Sequence, residues 1–174
     1  CFDRFFTLYV AYNRLYFELA ISHAKKAWAK GRKIEYISDS KSAKENIQTF
    51  LGSEAIYSSL KNDASCMEAI SSIIDLLDRH VFAIKLDKYT RERSSEADSV
   101  LLERLKSNSI YYRTYAVLDL IYSIRCNMFH GQKGYEQVQT KILIPVTILL
   151  IKIMSLVYEK MSQEEEINWW QQID

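Results

Sequence analysis

The chain is predicted to be all-α, and three observations predict it. Four glycines and one proline punctuate 174 residues, too few for a fold that must turn at the end of every short strand. Leu, Ile, Ala, Lys, Glu and Tyr instead fill long unbroken stretches, and in several of these the apolar residues return every three or four positions. With 48% hydrophobic residues the chain can bury one substantial core and is short for two. The expectation is a single domain over residues 1–174, an antiparallel helical bundle built around the longest helices with short extra ones between them.

The first element covers residues 2–30, where Phe2, Phe6, Tyr9, Tyr16, Ala20, Ala24 and Ala27 keep one face toward a core and Asn13 interrupts the stripe. Gly31 ends it, and Arg32 to Ser40 reads as a loop pinned by Ile34 and Ile37. Ser42 followed by Glu45 has the spacing of a capping box and opens a short helix that Gly52 stops, with another turn or two from Ser53 to Asn62. A longer helix fits Ala64 to about Tyr89, with Met67, Ile70, Ile74, Leu77, Val81 and Ile84 as its inner stripe. Thr90 to Asp98 is polar and aperiodic and reads as a mobile loop flanking the active site, and Val100 to Lys106 as a short helix. Ser109 to His130 is a long helix with Val117, Leu118, Ile121, Ile124 and Met128 inward, broken by Gly131 and Gly134. The last helix runs from about Tyr135 to Met161 and is expected to kink or restart at Pro145.

Charge is balanced, 23 basic residues against 22 acidic, which excludes the global positive field of a protein that grips long nucleic acid. It is uneven all the same: Lys25, Lys26, Lys30, Arg32 and Lys33 surround Trp28, either as a solvated helix end or as a phosphate-contacting patch. Cys1, Cys66 and Cys126 are odd in number and scattered, so neither a disulfide framework nor a zinc knuckle is expected, and the default compartment is a reducing cytoplasm. Nothing points to a metal, a flavin or a nucleotide cofactor. The apolar run Ile142 to Val157 holds Pro145 and Lys152 and is short of a bilayer crossing, so it reads as a core helix, with no membrane partner expected. The chain starts at Cys rather than Met inside a helical pattern and is expected to be a fragment of a longer one.

The richest stretch is Arg125-Cys126-Asn127-Met128-Phe129-His130-Gly131, at the end of the apolar run that begins at Ala116. Burying a guanidinium and an imidazole beside a hydrophobic seam costs several kcal/mol unless they are paired or hydrated, so a phosphate-handling site would account for them. Metal-free cleavage of RNA uses the substrate's own 2′-OH as nucleophile and needs a proton acceptor, a proton donor and positive charge on the phosphorane. His130 can move the protons, Arg125 can hold two phosphate oxygens, and Asn127, three residues before His130, can orient the ring or donate to the phosphate. On a straight helix positions 125 and 130 diverge by about 140°. Either the helix loosens before Gly131 or a second copy completes the site and supplies the second imidazole.

Arg125-x4-His130 within "IYSIRCNMFHGQK" resembles the Arg-x4-6-His signature of HEPN domains, and "LYVAYNRLY" over Leu8 to Tyr16 is similar to the first helix of many of them. The resemblance implies a HEPN-type helical bundle, dimerisation that brings two motifs together, and metal-independent endoribonuclease activity with Arg125 and His130 catalytic. It also implies that Asn13 lines the same pocket and that Lys133 steers RNA, to which Lys25, Lys26 and Lys30 would add as the phosphate-contacting patch of the basic run. Family members occur in toxin–antitoxin pairs and phage-defence systems, so an antitoxin, or other domains of a parent chain, is an expected partner. Other members have lost catalysis and bind nucleotide or RNA, or serve as dimerisation scaffolds. Plainer roles exist for each residue. His130 can be a helix C-cap, Arg125 a partner of Asp119 or Glu18, Asn13 a core side chain bonded to a carbonyl, and Lys133 a solvated loop lysine. Tyr111, Tyr112, Tyr115 and Tyr122 form an aromatic face beside the motif, suited to core or dimer packing or to base stacking.

Overall fold

The computed structural model describes residues 1–31, 38–81, 84–85, 90, 92, 94–129 and 137–170. Among these residues all regular structure is helical. The elements are α1 (Phe2–Ala29), α2 (Asp39–Lys41), a π-turn segment η1 (Ser42–Asn46), α3 (Ile47–Leu51), α4 (Ser53–Lys61), α5 (Ala64–Asp78), α6 (Ser95–Lys106), α7 (Ile110–Phe129) and α8 (Gln137–Trp170).

Helix α8 packs against α1 and α5, while α7 lies against α4, α6 and η1, and one core runs through all of them. Residues of α8 such as Val146, Leu149, Leu150, Ile153 and Val157 are fully buried. By length and composition Thr140–Glu164 could cross a membrane, an 18-residue window of it reaching a mean hydropathy of 2.0, yet half of that window is buried inside the bundle. The helix runs past the apolar segment Ile142–Val157 at both ends and continues beyond Met161. It neither restarts nor stops at Pro145, which is buried within it. Packing on two flanks outweighs the roughly 3 kcal/mol that an interior proline costs a helix.

Several boundaries differ from the sequence expectation, each for a local reason. On α1 the buried stripe is Phe5, Tyr9, Tyr12, Tyr16 and Leu19, and Phe6 is exposed. Asp39 and Ser40 are helical, because the Ser38 hydroxyl accepts from the Lys41 amide and starts the helix there. Ser42, expected to be the cap, therefore sits a turn inside, buried within the π-turn. The Tyr12 hydroxyl donates to the Ala43 carbonyl in that wide turn at 2.7 Å. Gly52 stops α3 as expected, at φ 85°.

Helix α5 ends at Asp78, well short of Tyr89. His80 takes the left-handed conformation at φ 52°, its N–H bonds the Leu77 carbonyl, and the Val81 N–H reaches back to Leu76. This is a Schellman stop made without glycine. Val81 is consequently exposed, while Ile84 is buried in a separate segment. Helix α6 begins at Ser95, capped by Ser94 and five residues before Val100, so the last four residues of the run read as a loop are helix. Asp98 is buried because its Oδ1 accepts from the amides of Ile84 and Lys85, at 3.1 and 2.7 Å. Arg32 to Ile37, Tyr89, Gly131, Gly134 and Tyr135 lie outside the described residues.

Candidate functional site

Helix α7 carries Arg125 at the far end of a buried run that includes Ala116, Val117, Leu120, Ile121 and Ile124. Its side chain is only 20% exposed. Nη1 lies 3.4 Å from Asp39 Oδ2 and 3.9 Å from the Cys126 sulfur. The guanidinium carbon sits 5.5 Å from the centre of the Tyr9 ring and 5.9 Å from that of Tyr122. Two aromatic faces and one carboxylate thus hold the cation. Burial works against its charge, but Cys126, Tyr9 and Asp39 more than offset this, so the group stays ionised.

Asp39 enters at the first turn of α2, where helix polarity favours a carboxylate. It accepts from the Tyr16 hydroxyl at 2.6 Å through Oδ1 and from the Tyr122 hydroxyl at 3.3 Å through Oδ2. Burial, followed by the Asp39 carboxylate, pushes the Tyr16 phenol above its ordinary range, and burial does the same for Tyr9 and Tyr122. The three tyrosines therefore remain neutral at physiological pH, and Tyr16 and Tyr122 act as donors to Asp39.

Six residues back on α7, Asp119 is 8% exposed and is gripped by two ammonium groups, Lys44 Nζ at 3.1 Å and Lys85 Nζ at 2.5 Å. Lys85 also donates to Ser123 Oγ at 2.7 Å. Burial opposes ionisation of Asp119, but Lys85 and Lys44 overcome it and hold the carboxyl below the usual carboxylate range. Lys44 comes from the π-turn and lies 5.4 Å from the Tyr122 ring centre, so the Arg125 and Lys44 cations both border that ring.

The pairings weighed for Arg125 in the sequence are both absent: Asp119 belongs to the lysines, and Glu18 pairs with Arg14 on its own helix. The Asn127 amide donates to the Ile84 carbonyl at 2.7 Å, so this side chain ties the 84–85 segment to α7. Asn13 is half-buried on α1, four residues after Tyr9 and three before Tyr16, which places it on the edge of the face that meets Arg125. Lys25, Lys26 and Lys30 are not brought to this cluster. Lys25 is nine residues beyond Tyr16, about 14 Å along the helix, and Lys26 faces Glu164 at 3.8 Å. His130 and Lys133 lie outside the described residues.

Asp39, Lys44 and Lys85 are the partners that sequence reasoning missed. Asp39 is 86 residues from Arg125, beyond the reach of any spacing rule. Tyr9 and Tyr16 carried a signal, since seven residues on one helix bring them to one face. Among the described residues no group of three or more His, Cys, Asp or Glu side chains is placed to hold a metal ion. No family model, curated protein or solved structure matches the chain.

Proposed function

We propose that the chain is a HEPN-type, metal-independent endoribonuclease that cleaves single-stranded RNA by 2′-OH attack, with Arg125 and His130 as its catalytic pair. The observation that carries this reading is the Arg125 guanidinium, four-fifths buried on the motif helix, whose ion pair among the described residues is with the half-exposed carboxylate of Asp39. Structural arginines this buried are ordinarily tied to a well-covered acid. Here the weak, 3.4 Å contact to Asp39 leaves a forked cation that can exchange the carboxylate for a phosphate. Arg125 would hold the phosphate and neutralise the phosphorane, and His130 would transfer the protons. A second copy of the chain would supply the other imidazole, making the working unit a homodimer. The setting would be cytoplasmic, in a toxin–antitoxin or phage-defence system.

The test is incubation of a labelled single-stranded RNA in EDTA with wild type, Arg125→Ala and His130→Ala. Cleavage by the wild type to 2′,3′-cyclic phosphate ends, reduced at least a hundredfold in both variants, is expected. A second reading, a non-catalytic HEPN module that binds nucleotide or RNA or acts as a dimerisation scaffold, is favoured by Asn127, whose amide is spent on a backbone carbonyl. Intact RNA with every protein would select it.

A further inference from the structure

The proposed chemistry at Arg125 leaves unused the opposite end of α7. There Tyr111 and Tyr112 are exposed, 54% and 50%, although each could bury far more. They are ordered with respect to one another: the two rings meet edge to face at 5.5 Å, and Tyr111 stacks on Tyr115 at 6.4 Å with planes 19° apart. Their backbone is fixed from beneath. Gln48, buried to 4%, places Nε2 at 2.9 Å from the Tyr111 carbonyl and 2.7 Å from Thr114 Oγ1. Two large rings held rigidly in water by a buried amide form a platform, since their placement is set in advance and little side-chain freedom is lost when something covers them.

The charges around the platform select the occupant. The Arg104 guanidinium lies 5.6 Å from the Tyr115 ring centre, Arg113 lies 5.2 Å from that of Tyr57, and Lys61 shares the Tyr57 ring at 6.0 Å. Among the described residues none of these three cations has a carboxylate within ion-pair distance. Exposed rings interleaved with unneutralised cations suit a polyanion whose own units are flat and apolar on two faces. A single nucleic-acid strand fits that description, and a duplex, whose bases are already stacked, does not.

Of the two rings, Tyr111 lies on the motif's side of the helix and Tyr112 is turned about 140° from Arg125. Tyr111 and Arg125 are fourteen residues apart, about 21 Å along α7 and within about 40° of the same face. Between them Leu118 and Asp119 are buried, so a strand would cross over the π-turn and touch the two ends only. We propose that Tyr111 and Tyr112, flanked by Arg104, are a base-stacking subsite for single-stranded RNA, a few nucleotides from the phosphate held at Arg125. This subsite rests on the reading of RNA as the substrate.

The experiment measures binding of a fluorescent single-stranded oligoribonucleotide by anisotropy in EDTA. The strand is 2′-O-methylated throughout, so that binding is read without cleavage, and a blunt duplex of the same length is measured beside it. Tyr111→Ala combined with Tyr112→Ala is expected to weaken the single strand at least tenfold, since one stacked base is worth about 5- to 150-fold, and to change duplex binding less than twofold. Tyr111→Phe with Tyr112→Phe keeps the rings and should bind as wild type does. Arg104→Ala should lower the salt slope by about one. Unchanged single-strand binding by the alanine pair, an equal loss for strand and duplex, or no binding by wild type would each overturn the subsite. Cleavage is scored separately on unmodified RNA: tyrosine-dependent binding without cleavage retains the subsite and defeats the nuclease, while Arg125-dependent cleavage with KM unchanged in the tyrosine pair does the reverse.

Discussion

Asp39, which faces Nη1 of Arg125 at 3.4 Å, and a bound phosphate would compete for the same guanidinium, and at this residue the balance between them decides whether the site is open. The carboxylate is held by Tyr16 and Tyr122 as well as by Arg125, so it gives up little when the guanidinium turns away. Its side chain is 46% exposed, and a pair so hydrated contributes about 0–1 kcal/mol. Asp39→Asn keeps an acceptor for Tyr16 and removes the competing charge. The expected outcome is a severalfold gain in affinity for single-stranded RNA, read by anisotropy, with urea-unfolding stability altered by less than about 1 kcal/mol. A loss of affinity instead would make Asp39 a residue that aims Arg125. Arg125 could be singled out in the sequence because an apolar run that ends in Arg, Asn and His is costly without a use, whereas its contact with Tyr9 depends on the packing of α1 against α7. Asp39 could not, since its role depends on how a distant helix start is laid against α7.

At the scale of elements, the stop of α5 shows where pattern reading runs out. Ile70, Leu77, Val81 and Ile84 continue a helical period, and no glycine or proline warns of an end. The stop is made by His80 in the left-handed region, and the tertiary gain is that the segment after it can be captured. Asp98 takes two of its amides, Asn127 takes a carbonyl, and Lys85 reaches Asp119. None of these partners is local, so the periodicity of residues 64–84 could not disclose them. The left-handed conformation costs a side chain with a Cβ about 1 kcal/mol relative to glycine. His80→Gly should therefore raise stability by about 0.5–1 kcal/mol in urea denaturation, part of the gain being offset by the greater freedom of glycine in the unfolded chain. If α5 instead continued through residue 80 in solution, the same substitution would destabilise by about that amount. By contrast, α7 and the core of α8 followed their apolar periods closely, because packing on most of their circumference leaves period and burial in agreement.

For the whole molecule, the decisive linkage is the ion triad of Lys44, Lys85 and Asp119, which joins the π-turn, the segment after α5 and the motif helix. Two cations on one carboxylate survive burial only while that carboxylate is charged. Because the Asp119 carboxyl is held below its usual range in the folded chain, the unfolded chain binds its proton first as acid is added. The triad's contribution is thus fully present above the ordinary carboxylate value near pH 4 and is lost as pH falls through the lower folded value. Neutralising Asp119 by mutation should imitate this at any pH. Asp119→Asn is expected to cost about 3 kcal/mol or more at pH 7, since it strands two lysines in a half-buried place. The penalty should shrink below pH 4, where wild type loses the same charge. Thermal or urea unfolding of both proteins between pH 2.5 and 7 measures it: converging stabilities at the acid end are expected, whereas parallel curves would mean that Asp119 acts by packing and that some other contact clamps α7 to its neighbours.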